Sequence, residues 1–94
     1  MIDLNQIAIR IIKEQERIIG PIAWSEARKV TGLKILDEKV GTVQITNGDA
    51  KEVVDRLVAQ YERLFGRASH EVCREAASPL IAGLAMTEVP VSLR

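Results

Sequence analysis

The sequence is poor in the residues that usually announce chemistry. It has one cysteine, Cys73, one histidine, His70, and three aromatics, Trp24, Tyr61 and Phe65. A lone cysteine excludes an intrachain disulfide and suits a reducing compartment, so a cytoplasmic protein is expected. With no second Cys or His, the Cys/His zinc patterns are excluded. No Walker pattern and no G-x-G-x-x-G occurs, so the glycine-rich phosphate cradles are missing as well. No apolar run approaches bilayer length. The start "MIDLNQ" lacks the basic and apolar regions of a secretory leader. No membrane association is expected.

A surplus of charge of either sign is also missing. The 13 basic and 13 acidic residues cancel. Divided after Asn47, the chain holds seven basic and six acidic residues, then six and seven. Displacing counterions from nucleic acid takes a concentrated positive field, so no nucleic-acid partner is expected from the totals. A neutral total still leaves room for a local patch that only folding assembles.

What is present is apolar periodicity. Apolar residues make up 47% of the 94, enough for a packed core, although so short a chain buries a modest fraction of its surface. Asp3 caps an amphipathic helix in which Leu4, Ile7, Ala8, Ile11, Ile12, Ile18 and Ile19 share a face, with Ile9 pointing away. Gly20-Pro21 breaks it, and Pro21 suits the first position of a second helix through Thr31, with Ile22, Ala23, Ala27 and Val30 inward. Alternation in "GLKIL" and "VGTVQIT", separated by "DEK", predicts a β-hairpin with a bulge at Gly41.

"TNGD" turns into a third helix, capped by Asp49 with Glu52 at the capping-box position and stopped by Gly66. Val53, Val54, Leu57, Val58, Tyr61, Leu64 and Phe65 line its apolar side. Lys51, Glu52, Asp55, Glu62 and Arg63 line its solvent side. Ser69 caps a fourth helix, which Ser78-Pro79 either kinks or restarts. The expected fold is a small, mainly helical α+β domain over residues 1–86, in the order ααββαα, followed by an extended tail, 87–94. Its core is predicted at Leu4, Ile7, Ile11, Val54, Leu57, Tyr61, Phe65, Val72 and Leu80.

Few residues qualify for chemistry. His70 and Cys73 stand three apart on one helix and could share a face. A metal would need more ligands there, from Glu71, Glu75 or a second subunit. A nucleophilic pair would need an oxyanion hole and a third group. A boundary histidine beside a core cysteine is the simpler reading. Asp37-Glu38 in the hairpin turn and Glu14 and Glu16 on the first helix read as solvated charge. Arg28, Lys29 and Lys34 could make the second helix a DNA reader, but it is short and runs into strands. No catalytic residue, metal ligand or cofactor is assigned.

The apolar surplus is more informative. Ile9, Ile81, Ala85 and Met86 fall off or at the rim of the faces that a monomer buries, and Trp24 stands beside a buried face, either core or contact. Surplus apolar surface marks association, and a two-fold homodimer is its commonest cover.

The segment "RIIGPIAWSEARKV" resembles the Gly-Pro-Ile-Ala segment of a small helical domain of unknown function appended to bacterial signalling proteins. The resemblance spans about one helix and the break before it, and the hairpin departs from that all-helical pattern. It implies a regulatory module and transfers no catalytic residues. The expected function is therefore a non-enzymatic interaction or regulatory module, a homodimer with a possible protein partner. The alternatives are a small enzyme or metal site at His70 and Cys73, and a DNA-associated dimeric regulator.

Overall fold

A computed structural model describes residues 3–46 and 48–94 of the chain. Asn47 of the expected "TNGD" turn, and Met1 and Ile2 of the leader reading, lie outside the described residues. Among those described, four α-helices and one antiparallel hairpin follow in the order α1 (Leu4–Ile19), α2 (Ile22–Ala27), β1 (Leu33–Asp37), β2 (Thr42–Ile45), α3 (Ala50–Phe65) and α4 (Arg67–Ile81). Two 3-10 turns, Met86–Glu88 and Val91–Leu93, complete the chain. The α+β class and the ααββαα order are as the sequence implied.

Asp3 caps α1 by accepting the Gln6 N–H at 3.0 Å. The β-branched face of α1 is held by packing rather than by helix propensity. Ile7, Ala8, Ile11 and Ile12 are buried against α4, α3 and α2. Gly20 ends α1 at φ +82° and donates to the Glu16 carbonyl at 2.9 Å, a backbone region that favours glycine. Pro21 is helical in φ and ψ and immediately precedes α2. That helix is shorter than expected: it ends at Ala27, and turns carry the chain from Arg28 to the hairpin.

The hairpin pairs Leu33 with Ile45 and Ile35 with Val43. Its irregularity falls at Leu36, between Ile35 and Asp37, rather than at Gly41. Gly41 has a different task. At φ +83° it donates to the Asp37 carbonyl at 2.8 Å, closing the loop. A Cβ there would meet the Lys13 side chain at 2.5 Å and the Trp24 ring at 3.7 Å. Asn5 on α1 accepts the Ile45 N–H at 3.0 Å, so the hairpin is fastened to the helices.

Asp49 caps α3 through the Lys51 N–H at 2.9 Å. The capping box does not close, because Glu52 faces Arg56 instead. Gly66, not Ser69, precedes α4, and Ser69 is buried in its first turn. The helix runs unbroken through Pro79, so Ser78 starts no new one.

Four residues read as inward are exposed: Ile18 at 63%, Ile22, Leu64 at 48% and Phe65. Each lies in the first or last turn of its helix, beyond the reach of the neighbouring layer. Phe65 is thus removed from the core, Leu4 and Leu80 are half-buried at its margin, and Val72 is half-buried outside the core cluster. The tail is not extended. Val89, Pro90 and Leu93 are buried, and the turn Val91–Leu93 packs on α3 and α4. Apolar residues at 89, 91 and 93 look like alternation, but the short 3-10 turns place 89 and 93 inward and leave Val91 out.

Candidate functional site

His70 and Cys73 share α4 but serve different surroundings. Cys73 is fully buried and receives a hydrogen bond from the Gln15 amide at 3.4 Å. The same amide group donates to the Ser69 carbonyl at 3.0 Å. Burial pushes the Cys73 thiol up to about 11, with the Gln15 bond acting in the opposite direction. A thiol so raised is protonated near neutrality and is a poor nucleophile. His70 makes its hydrogen bonds to other groups. Its Nδ1 lies 2.6 Å from a Glu62 carboxylate oxygen and its Nε2 lies 2.6 Å from the Ser92 carbonyl. The ring therefore joins α3, α4 and the tail. Among the described residues no group of three His, Cys, Asp or Glu side chains is placed to hold a metal ion.

The tail is gripped from a second side. Asp55 accepts both the Ser92 N–H, at 3.0 Å, and the Ser92 hydroxyl. Lys51 donates to the Thr87 carbonyl at 2.9 Å. Asp55 and Glu62, read from sequence as solvent charges, are the acceptors of a clasp that holds the tail on the α3–α4 pair.

Trp24 is 1% exposed and belongs to its own chain's core, which removes it from the contact candidates. Its ring lies beside Gly41 of the hairpin loop, and on the same helix the Ala23 carbonyl accepts from the Tyr61 hydroxyl of α3 at 2.7 Å. Burial raises the Tyr61 hydroxyl far above its usual range. Ile9 and Ile81 pack partly against the core, whereas Ala85 and Met86 are exposed beyond α4.

Of the other exposed large apolar residues, Leu36 and Val40 lie in the hairpin and Val91 in the tail, whereas Ile18, Ile22, Leu64 and Phe65 flank the helix junctions. Gln15, one turn before the end of α1, reaches Ser69 in the first turn of α4. Tyr61, one turn before the end of α3, reaches Ala23 in the first turn of α2. The α1–α2 and α3–α4 junctions therefore lie at the same end of the molecule, and Ile18, Ile22, Leu64 and Phe65 are exposed there. The signal for this end is present in the sequence: all four flank Gly20-Pro21 or Gly66, where the helices stop.

The opposite flank of α3 faces the turns after α2. An open groove of about 390 Å³ lies there, lined by Lys29, Val30, Thr31, Arg56, Ala59 and Arg63. Beneath it, the nearly buried Glu26 accepts from Gln60 at 2.8 Å and from Lys29 at 3.1 Å. These bonds, Gln60 first, hold its carboxyl below the usual Glu range against the opposing effect of burial. Arg28, the other cation of the suggested DNA reader, is engaged with Glu38 of the hairpin. Lys34 projects from β1 as an exposed residue. The DNA-reader arrangement is not assembled, since α2 is six residues long and carries neither Arg28 nor Lys29.

No family model, curated protein or solved structure matches this chain. No helix among the described residues is long and apolar enough to cross a membrane.

Proposed function

We propose that the protein is a non-enzymatic interaction module that pairs with a second copy of itself through the end of the molecule where its two helix junctions meet. The observation that carries this reading is the exposure of Ile18, Ile22, Leu64 and Phe65 at that one end. Clustered apolar surface favours association, and a two-fold pair covers it by matching the patch with itself. Charges of both signs at the rim of a self-matching patch can pair across the two-fold axis. Exposed Glu16 and Arg17 adjoin Ile18, and exposed Arg63 and Arg67 follow on the other junction beside half-buried Glu62. The net charge of zero adds no long-range repulsion between copies. The Gly-Pro-Ile-Ala resemblance favours a regulatory setting for such a pair.

Sedimentation equilibrium of the wild type and of Ile22→Glu and Phe65→Glu tests the reading. The wild type is expected to dimerise in the micromolar range, and each substitution, which places two unpaired charges in a two-fold interface, to weaken the dimer by at least about a hundredfold, as burial of an unpaired charge costs several kcal/mol. Both positions are already exposed in the monomer, so far-UV circular dichroism should be unchanged. A wild-type monomer at high micromolar concentration, or a dimer indifferent to both substitutions, overturns it. Trp24 is enclosed within one chain, so its blue-shifted emission should not depend on concentration.

A further inference from the structure

We propose that the groove between α3 and the segment Lys29–Thr31 is a binding site for a small diphosphate-class anion. The totals of charge conceal it: the chain is neutral, yet folding gathers Lys29, Arg56 and Arg63 around one depression. Arg56 and Arg63 are seven residues apart on α3, two turns, or about 10 Å along the axis. Between them stands Ala59, whose small side chain leaves the floor open. Lys29 faces them from across the groove.

The supply of local acceptors does not exhaust these donors. Glu26 is engaged with Lys29 and Gln60. Arg56 donates to the Thr31 carbonyl at 3.3 Å, and its nearest carboxylate, Glu52, is 3.6 Å away and exposed. Such a pair contributes little in water. Among the described residues Arg63 donates to the neutral Gln60 side-chain oxygen, at 2.6 Å, and feels the Glu26 carboxylate without a hydrogen bond to it. Two guanidinium groups with spare donors on one side of a groove, and an ammonium on the other, suit a ligand with two neighbouring anionic centres. Guanidinium forks bond phosphoryl oxygens in pairs. One phosphoryl group can satisfy one arginine, whereas a diphosphate can meet both.

The test is a titration of ¹⁵N-labelled protein at low ionic strength with pyrophosphate, ADP, inorganic phosphate and sodium chloride matched for ionic strength. Pyrophosphate is expected to shift the amides of residues 29–31 and 56–63 saturably, and to bind more tightly than phosphate. Equal affinity for ADP assigns recognition to the diphosphate alone, and tighter binding of ADP assigns it to a nucleotide diphosphate; both support the site. Arg63→Gln, an exposed change, should weaken pyrophosphate about tenfold, the usual worth of a charge-assisted hydrogen bond. Arg74→Gln on α4 should leave it unchanged. The proposal is overturned if chloride reproduces the shifts, if pyrophosphate binds Arg63→Gln as well as wild type, or if a DNA duplex shifts the same amides at lower concentration than pyrophosphate does.

Discussion

The two flanks of α3 carry opposite charges at the same spacing and have met opposite fates. Asp55 and Glu62, seven residues apart, face the tail, and each is engaged by it directly or through His70. Arg56 and Arg63, also seven apart, face the α2 side, where the segment across them, Lys29–Thr31, supplies one acceptor, the Thr31 carbonyl bonded by Arg56. The repeat is the pair Asp55-Arg56 and Glu62-Arg63, two helical turns on. One flank is closed by the chain's own donors and buried apolar groups, and the other keeps its donors facing a groove. The difference teaches that a neutral amphipathic helix can divide its charged arc into two unlike surfaces, of which only one is spoken for within the fold.

The strongest way to break this comparison is to remove what closes the first flank. Leu93 is buried in the tail and packs with the main core cluster. Leu93→Ala removes a buried side chain and leaves a cavity that the surface-lying tail can partly collapse, so a loss of about 2–3 kcal/mol in urea denaturation is expected. An effect below about 0.5 kcal/mol would mean that the tail is an ornament and that both flanks of α3 are open.

Much of this division is legible in the sequence, and the failures are instructive. Strong periodicity places α1, α3 and α4, because positions three and four apart must stack on one face. Gly20, Pro21 and Gly66 mark the junctions through backbone preference alone. The errors come where the period gives no information. It cannot say where a face runs past its partner, so Ile18, Ile22, Leu64 and Phe65 read as core. Nor does it separate the two sides of a polar arc, so Asp55 and Arg63 read as one solvent face. Gln15 is fully buried although polar; it falls four residues after Ile11 and three after Ile12, squarely on the stripe. Its position points inward, but its polarity hides it from a reading that follows apolar residues. The tail misleads because short 3-10 turns leave no repeating pattern to detect.

A smaller and more selective change separates the polar clasp from the apolar contact. Asp55→Ala deletes the acceptor of both the Ser92 N–H and its hydroxyl. Loss of about 1–2 kcal/mol is expected, since both donors are only half-buried and water can partly replace the carboxylate. Hydrogen exchange should accelerate at Ser92 and Leu93 and remain unchanged in α1. If Ser92 stays as protected as in the wild type, the Asp55 bonds are dispensable and the tail is secured by His70, Lys51 and its apolar contacts.

The smallest effect expected is on the open flank, and pH reads it. Glu26 is the one acid beneath the groove, and its hydrogen bonds from Gln60 and Lys29 keep its carboxyl below the usual value of 4.5. The folded state thus releases that proton more readily than the unfolded chain does. Its contribution is fully present above the unfolded value and is lost as pH falls through the folded one, below which the carboxyl is protonated in both states. Wild-type stability minus that of Glu26→Gln should therefore be flat near neutrality and decline on acidification below the ordinary Glu range. The amide in Glu26→Gln cannot change charge, so the decline belongs to this site and not to the clasp, whose Asp55 and Glu62 are common to both proteins. A difference that stays flat into the acid range would show that the bonds from Gln60 and Lys29 do not outweigh burial at Glu26. Glu26 would then be a weaker anchor for the Lys29 ammonium, and the contrast between the two flanks would be greater.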